Sequence, residues 1–446
     1  MLKLKNMFNA QTYLNLDSLN IVVDPWITNG IYQNSWVLDP KVNLEKCIES
    51  LKQSNMCLIS HIHEDHFDLN AVKHLSRDCT IMLPDMWPNN IVAKRKLKGR
   101  HVKFLEIDRQ HKINDDTYIT FFGPMNGEGH LAGQKESDES DNIILDTGII
   151  IKHREIKIVL LCDNFPWNAK HLKEEVLNNI IDCDLLAVPF NSFADDYPIC
   201  FDNYSKNQKL KISEKRNKTR LNAIVKFCNK VNPKNVIPFS SDFFIKGPRS
   251  LEFDECHPAA YKCRKLFSKK LNNEWGGNVI PISQNQEMFF GKDGSLSVTG
   301  DYEESDFSKI CKKLYSEKSN VECENVDILV IERLIRLSAL NMFEKMKKLG
   351  LTSDWNFQVY IKDKGVIFNI NPETKSVSNK SCSKPFIRCN VDSGHLYKIL
   401  TFDIHWDNER ISYNLSWERS IDQYEPNINK AINFFHISMK NNKVSL

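Results

Sequence analysis

Ser60-His61-Ile62-His63-Glu64-Asp65-His66 sets three imidazoles and an aspartate within six positions, directly behind the apolar run Met56-Cys57-Leu58-Ile59. Imidazole nitrogens and carboxylate oxygens are the donors that zinc and iron prefer, and one short turn rarely supplies four of them by chance. The turn follows a buried strand, and α/β sheets place their chemistry at the carboxyl ends of strands. The pattern therefore predicts half of a metal site. A polar surface turn is the bland alternative, and histidines two and three residues apart argue against it.

The rest of the first half predicts strands at Asn20–Val23, Cys57–Ser60, Thr80–Leu83, Val102–Glu106, Tyr118–Phe122, Ile143–Lys152, Lys157–Cys162, Asp184–Pro189 and Asn235–Phe239. Helices are expected over Asp68–His74, Ala169–Ile181 and Ser213–Val231. Short strands interleaved with helices define an α/β layered fold. The Gly-rich and acidic stretch from Gly291 to Asp306 suggests a boundary near residue 305, giving domains 1–305 and 306–446. The second reads as a small α+β domain: a helix over Val326–Lys348, strands at Phe357–Ile361 and Gly365–Ile370, a helix near Leu396, a strand near Ile411–Trp417 and a helix over Asn427–Phe435. With no cluster of ligand-type residues, its expected work is packing, dimerisation or covering a substrate.

Of 446 residues 41% are hydrophobic and 26% charged, with a formal charge of +3, which favours neither nucleic acid nor a membrane as partner. Lys206, Lys209, Lys211, Lys215, Arg216, Lys218 and Arg220 form a basic run, but no aromatic residues interleave with them as a nucleic-acid stacking platform requires. No apolar run approaches the roughly 18 residues of a spanning helix. The N-terminus carries no signal-peptide pattern, and thirteen cysteines lack a framework spacing. Together these lead us to expect a cytoplasmic protein.

Three later positions are candidates to complete the site. Asp163 follows the apolar run Lys157–Cys162, where an unpaired carboxylate is costly. His130 lies in a glycine-flanked loop, where the backbone can approach a ligand closely. His257 follows Asp254-Glu255-Cys256.

His61-x-His63-x-Asp65-His66 resembles the signature of the metallo-β-lactamase fold superfamily, with Asp24 and Asp163 where that superfamily's first and fourth motifs fall. The resemblance implies a four-layer αβ/βα sandwich holding two divalent metal ions, zinc or iron. It implies His61, His63 and His130 as ligands of the first ion, Asp65, His66 and His257 of the second, Asp163 bridging both, and Asp24 supporting from behind. Asp146-Thr147-Gly148, the segment Ala194–Cys200, Ile237–Ser241 and His405-Trp406-Asp407-Asn408 narrow the likeness. They look like the metallo-β-lactamase-like part of CMP-N-acetylneuraminate hydroxylases and related ascorbate-lactonase-like proteins. The paired Cys/His pattern of the hydroxylases' Rieske domain is absent from the sequence. Ser240 stands where the lactonase-like branch has a histidine.

Such a site predicts an enzyme acting on a small-molecule substrate. The first expectation is a hydrolase activating water against an ester, lactone, amide or phosphodiester, with Asp65 and Asp163 as the catalytic carboxylates. The second is a non-haem di-iron oxygenase fed by an external reductase, and the third a non-catalytic metal-stabilised binding protein. A Ser-His-Asp mechanism through Ser60 or Ser240 has nothing further to recommend it. Homo-oligomerisation is left open. Trp26, Trp36, Trp167, Phe193 and Tyr197 are candidates to line the pocket.

Overall fold

The computed structural model describes residues 2–86, 89–125, 145–167, 169–190, 196–240, 242–291, 295–318, 323–380 and 385–437. Leu2 and Leu4 alternate with Lys3 and Lys5, and the strand Leu2–Phe8 buries its leucines accordingly. It pairs antiparallel with Gln11–Leu16, which pairs with Leu19–Val23. Met56–Leu58, Thr80–Pro84 and His101–Leu105 then join in parallel, connected by the helices Leu44–Gln53, Leu69–His74 and Asn89–Lys96. Glu287–Phe290 and Leu296–Thr299 return to the other side of the first strand and complete an eight-stranded sheet.

The second sheet has six strands, in the order Val236–Phe239, Leu185–Pro189, Ile156–Leu160, Gly148–His153, Thr117–Phe122 and His111–Lys112. Its first three run parallel and the rest antiparallel. Leu14, Ile21, Val23 and Leu58 meet Ile119, Phe121, Ile149 and Leu160 between the sheets. The outer faces are covered too. Val22, Cys57 and Ile81 pack with Leu51, Ala71 and Leu97 on one side, and Val159, Leu186 and Val188 with Val176, Ile224, Phe227 and Phe267 on the other. These layers, helices–sheet–sheet–helices, are the αβ/βα sandwich that the resemblance implied. Parallel strands covered on both faces must be apolar throughout, which is why Met56–Leu58 and Leu185–Pro189 are buried at every position.

Residues 356–419 form a third sheet of five strands, ordered Ser376–Ser378, Val366–Asn371, Asn356–Ile361, Phe386–Val391 and Ser416–Arg419. The helix Ile328–Leu349, capped by Asp327 and by Gly350 in a left-handed conformation (φ 66°), packs with Ser393–Leu400 and Pro426–Ile432. The core of this C-terminal part continues into the first. One apolar cluster joins Trp26, Trp36, Phe243 and Phe253 to Trp406, Trp417 and Phe435. Trp36 lies flat on Phe243, ring centroids 3.4 Å apart, and its Nε1 donates to the carbonyl of Ile411 at 2.9 Å.

Several expected boundaries move for physical reasons. The helix expected over Ala169–Ile181 divides into a 3-10 turn, Ala169–His171, and Glu174–Ile180, whose first turn carries Glu174 and Glu175 against the helix dipole. The basic helix starts earlier, at Lys206, because Ser205 and Gln208 make a capping box. Its cations are partly spent on packing: Lys209 is buried against Glu252 at 2.7 Å and Lys206 pairs with Glu255. The strand expected near Ile411 begins only at Ser416, since Trp406–Ser412 is a helix. No helix among the described residues is long and apolar enough to cross a membrane.

Gly148 sits opposite Phe122 in the register, and a Cβ there would lie 2.3 Å from the ring. Gly148→Ala is therefore expected to lower stability by about 1–3 kcal/mol, read as a reduced urea midpoint at unchanged slope.

Candidate metal centre

The strands Leu19–Val23, Ile156–Leu160 and Val236–Phe239 deliver Asp24, Asp163 and Ser240 from their carboxyl ends. At each of these exits a non-glycine residue takes a left-handed backbone: Asp24 (φ 44°), Cys162 (φ 51°) and Ser240 (φ 60°). Such conformations cost on the order of 1–3 kcal/mol each and persist where surrounding structure over-determines them. Here the cause is visible at Asp24. Its buried carboxylate accepts from Ser60 N and Ser60 Oγ at 2.7 Å and faces His66 Nδ1 at 2.8 Å. The histidine turn closes on itself through His66 N and Phe67 N, which donate to the carbonyl of His63. Thr147 Oγ1 donates to the carbonyl of Ser60 at 2.7 Å.

Two triads of potential ligands result, each with donor atoms within 4.8 Å of one another: His61, His63 and Asp146, and His61, His66 and Asp163. Asp146 Oδ1 lies 3.5 Å from His61 Nε2 and 3.8 Å from His63 Nδ1. His66 Nε2 lies 3.2 Å from Asp65 Oδ2 and 3.3 Å from Asp163 Oδ2. Among the described residues, His61 Nε2 and Asp146 Oδ1 are buried without a hydrogen-bond partner, and His66 Nε2 faces the two carboxylates. Buried polar atoms are rarely left so, and atoms of this chemistry converging on one point fit a cation.

Asp65 and Asp163 are held from behind. Asp65 accepts from Tyr32 Oη at 2.5 Å and from Asn9 Nδ2 at 3.0 Å, and Asp163 from Ser240 Oγ at 2.6 Å. Tyr32 reaches Asp65 because Tyr32, Gln33 and Asn34 are all left-handed, a turn braced by Tyr32 N donating to Glu64 Oε2 at 2.8 Å. Asn164 Oδ1 accepts from Met125 N, and its Nδ2 donates to Phe122 O, which fixes the loop beyond Asp163.

Electrostatics follow from five carboxylates around three rings. Burial, reinforced by His66 and His63, holds the His61 imidazole well below its usual range, so it stays a neutral donor. Burial alone would also lower His63, but Asp407, Asp146 and Asp65 push it up to about 9. His66 is likewise raised against its burial by Asp65, Asp163 and Asp24. Burial, with Asp163 and Asp407 and against His63, pushes Asp146 up to about 8. Asp163 is held well below the carboxylate range, His66 outweighing its burial. Protons and cations thus compete for the same atoms.

The structure brings together His61, His63, Asp65, His66 and Asp163 of the expected ligands, with Asp24 behind them. His130 lies outside the described residues. His257 joins neither triad. It ends the helix Arg249–Cys256, its Nδ1 donates to the carbonyl of Phe253 at 2.6 Å, and its ring packs 4.4 Å from Phe253 and 5.2 Å from Phe307. Burial pushes it down to about 3. Sequence reasoning did not assign Asp146 as a ligand, although Asp146-Thr147-Gly148 stood out, because the expected strand Ile143–Lys152 absorbed it; the strand starts at Gly148. It also passed over Tyr32 and Asn9 and gave Asp407 no role in the site, since no spacing links these residues to the turn. Of the expected pocket aromatics, Trp26 and Trp36 are core, Phe193 lies outside the described residues, and Trp167 and Tyr197 border a cleft.

The layered sandwich, the strand-end site and the histidine motif are similar to those of the metallo-β-lactamase fold. No family model matches the sequence. A protein of Mycolicibacterium smegmatis, inferred to be a Rieske 2Fe-2S iron-sulfur protein, is 23% identical over 271 residues, covering 59% of this chain and 49% of its own. The chain thus spans about half the length of the curated relatives it matches. Among solved structures, the metallo hydrolase Igni18 from Ignicoccus hospitalis is 14% identical with a TM-score of 0.39, covering 68% of this chain and 99% of its own. CmlA, a diiron β-hydroxylase from Streptomyces venezuelae, is 15% identical with a TM-score of 0.41, covering 63% and 52%.

A core role for His257 has a pH signature. Its folded value is depressed, so the unfolded chain binds the proton better. Its contribution is present above about pH 6.5 and is lost as pH falls towards 3. His257→Gln should bind as much metal as the wild type, and its urea midpoint should drop less between pH 7.5 and pH 5.

Proposed function

We propose that the chain is a metal-dependent enzyme holding a pair of ions, one on His61, His63 and Asp146, the other on Asp65 and His66, with Asp163 between them. The observation that carries this reading is the first triad, two imidazoles and one carboxylate converging on a shared point. Two histidines and a carboxylate are the donor set of non-haem iron oxygenases, and the second half, with Asp65 and Asp163 beside His66, is richer still in carboxylate. This donor set supports a reading in which bound iron activates oxygen. Bound iron would supply dioxygen activation and one-electron redox chemistry. A hydroxylation inserts one oxygen atom of O2 into a C–H bond and releases the other as water, consuming two electrons and two protons from an external reductant.

The chain's own residues set the conditions. Asp24 and Ser60 fix the ring of His66 so that Nε2 faces the site, and Ser240 holds Asp163. Asn9 and Tyr32 occupy lone pairs of Asp65, which keeps that carboxylate from swinging away. A small-molecule substrate has a candidate place in a cleft of about 630 Å³ bordered by Trp167, Tyr197, Arg216, Arg220, Arg410 and Tyr424. Trp167 follows Asp163 in the same loop, and Arg410 lies on the helix that carries Asp407. Asp196 and Asp422 line the same cleft, and Arg410 pairs with Asp196 at 3.1 Å, so the lining mixes both charges with aromatic rings.

Hydrolysis is the second reading, favoured by Asp163 lying within reach of both His61 and His66, as a clamp for an acidified water requires. Metal analysis of protein purified without added metal separates the two. About two irons per chain, with oxygen uptake that depends on a supplied reductant, is the expected result. Two zincs with turnover of a phosphodiester or lactone, lost in Asp163→Ala, would replace oxygenase with hydrolase.

A further inference from the structure

The sequence His405-Trp406-Asp407-Asn408 lies 344 residues beyond the histidine turn, yet the fold brings the two together. His405 caps the helix Trp406–Ser412 by accepting from Asp407 N. Trp406 is buried under the third sheet, its Nε1 donating to the carbonyl of Phe435 at 2.7 Å and its ring 5.8 Å from that of Phe357. The next two side chains point the other way. Asp407 Oδ2 lies 3.0 Å from His63 Nε2, and Asn408 Nδ2 lies 3.3 Å from Glu64 Oε1. The same helix is fastened to the left-handed turn by Trp36 Nε1 on Ile411 O and by Ser35 Oγ on Ser412 O.

His63 is thereby addressed on both nitrogens. Nδ1 faces Asp146 Oδ1 at 3.8 Å, inside the first triad, while Nε2 faces Asp407 outside it. A histidine that ligates a metal generally donates its other N–H to a carboxylate or carbonyl, which fixes the tautomer and the ring plane.

We propose that Asp407 is a positioning residue of the metal centre: the C-terminal unit supplies the carboxylate that accepts Nε2–H of His63 and so presents Nδ1 to the ion shared with His61 and Asp146. The proposal rests on the metal reading above and adds to it that the centre is built by both parts of the chain. It gives the C-terminal unit a defined task in place of general packing. Asp407→Ala removes the acceptor. Asp407→Asn keeps an acceptor oxygen but not its charge. Asn408→Ala removes the neighbouring contact to Glu64 while leaving His63 untouched.

The test is cobalt(II) titration of the full chain, stripped of metal, followed by absorption in the d–d region. Wild type should take up two equivalents. Asp407→Ala should bind one of them about 10–100-fold more weakly with an altered d–d band, the other being unchanged. Asp407→Asn should fall between, and Asn408→Ala should match wild type. Two equivalents of unchanged affinity and spectrum in Asp407→Ala would overturn the proposal while leaving the metal centre standing. So would an equal loss in Asn408→Ala, which would reduce the contact to docking. Failure of the wild type to bind cobalt would remove the metal reading, and this role with it.

Discussion

The site depends on one buried carboxylate. Asp24 is fully inaccessible and sits where a strand ends, an expensive place for a charge unless every lone pair is used. Ser60 N, Ser60 Oγ and His66 Nδ1 use them. Those contacts tie the end of one strand to the turn leaving the next. They set the direction in which His66 Nε2 points, and they over-determine the left-handed backbone of Asp24 itself. Because Leu19–Val23 and Met56–Leu58 are parallel neighbours, the sheet brings this carboxylate and this turn to the same edge. The second sheet then needs only to present Asp163 and Asp146 across the seam.

A second constraint is that the molecule does not divide cleanly at the histidine turn. The apolar cluster around Trp26, Trp36 and Phe243 continues into Trp406 and Trp417, and the helix Trp406–Ser412 rests on the turn carrying Tyr32. Three consecutive left-handed residues are unfavourable on their own. Stacking of Trp36 on Phe243, the bond from Tyr32 N to Glu64 and the clasp of the helix all act to hold them. Tyr32 and Asp407 thus reach the centre from elements that pack on each other and share one core.

How much of this was legible in the chain depended on the range of the signal. Apolar runs such as Lys157–Cys162 and Asp184–Pro189 marked the central strands, since burial on both faces leaves little choice of residue. The first hairpin, Leu2–Phe8 with Gln11–Leu16, was passed over although Leu2 and Leu4 alternate with lysines, because alternation over four residues is short. In the site, His61 to His66 announced themselves by density, and Asp163 by standing at the end of an apolar run. Asp146 hid inside a run read as strand. Tyr32 and Asn9 carry no local signature, and Asp407 lies in a segment whose likeness gave it no role: their part in the site is created only when distant segments pack. His257 shows the converse, a histidine with suggestive neighbours whose ring belongs to a hydrophobic contact.

The central claim is that the donors around His61 form a two-ion centre. Anomalous diffraction from crystals of the metal-loaded protein tests it most directly. The account predicts two peaks: one about 2.1 Å from His61 Nε2, His63 Nδ1 and an oxygen of Asp146, the other equally close to Asp65 and His66 Nε2, with Asp163 between them. A single peak, or a peak ligated by His257, would contradict it.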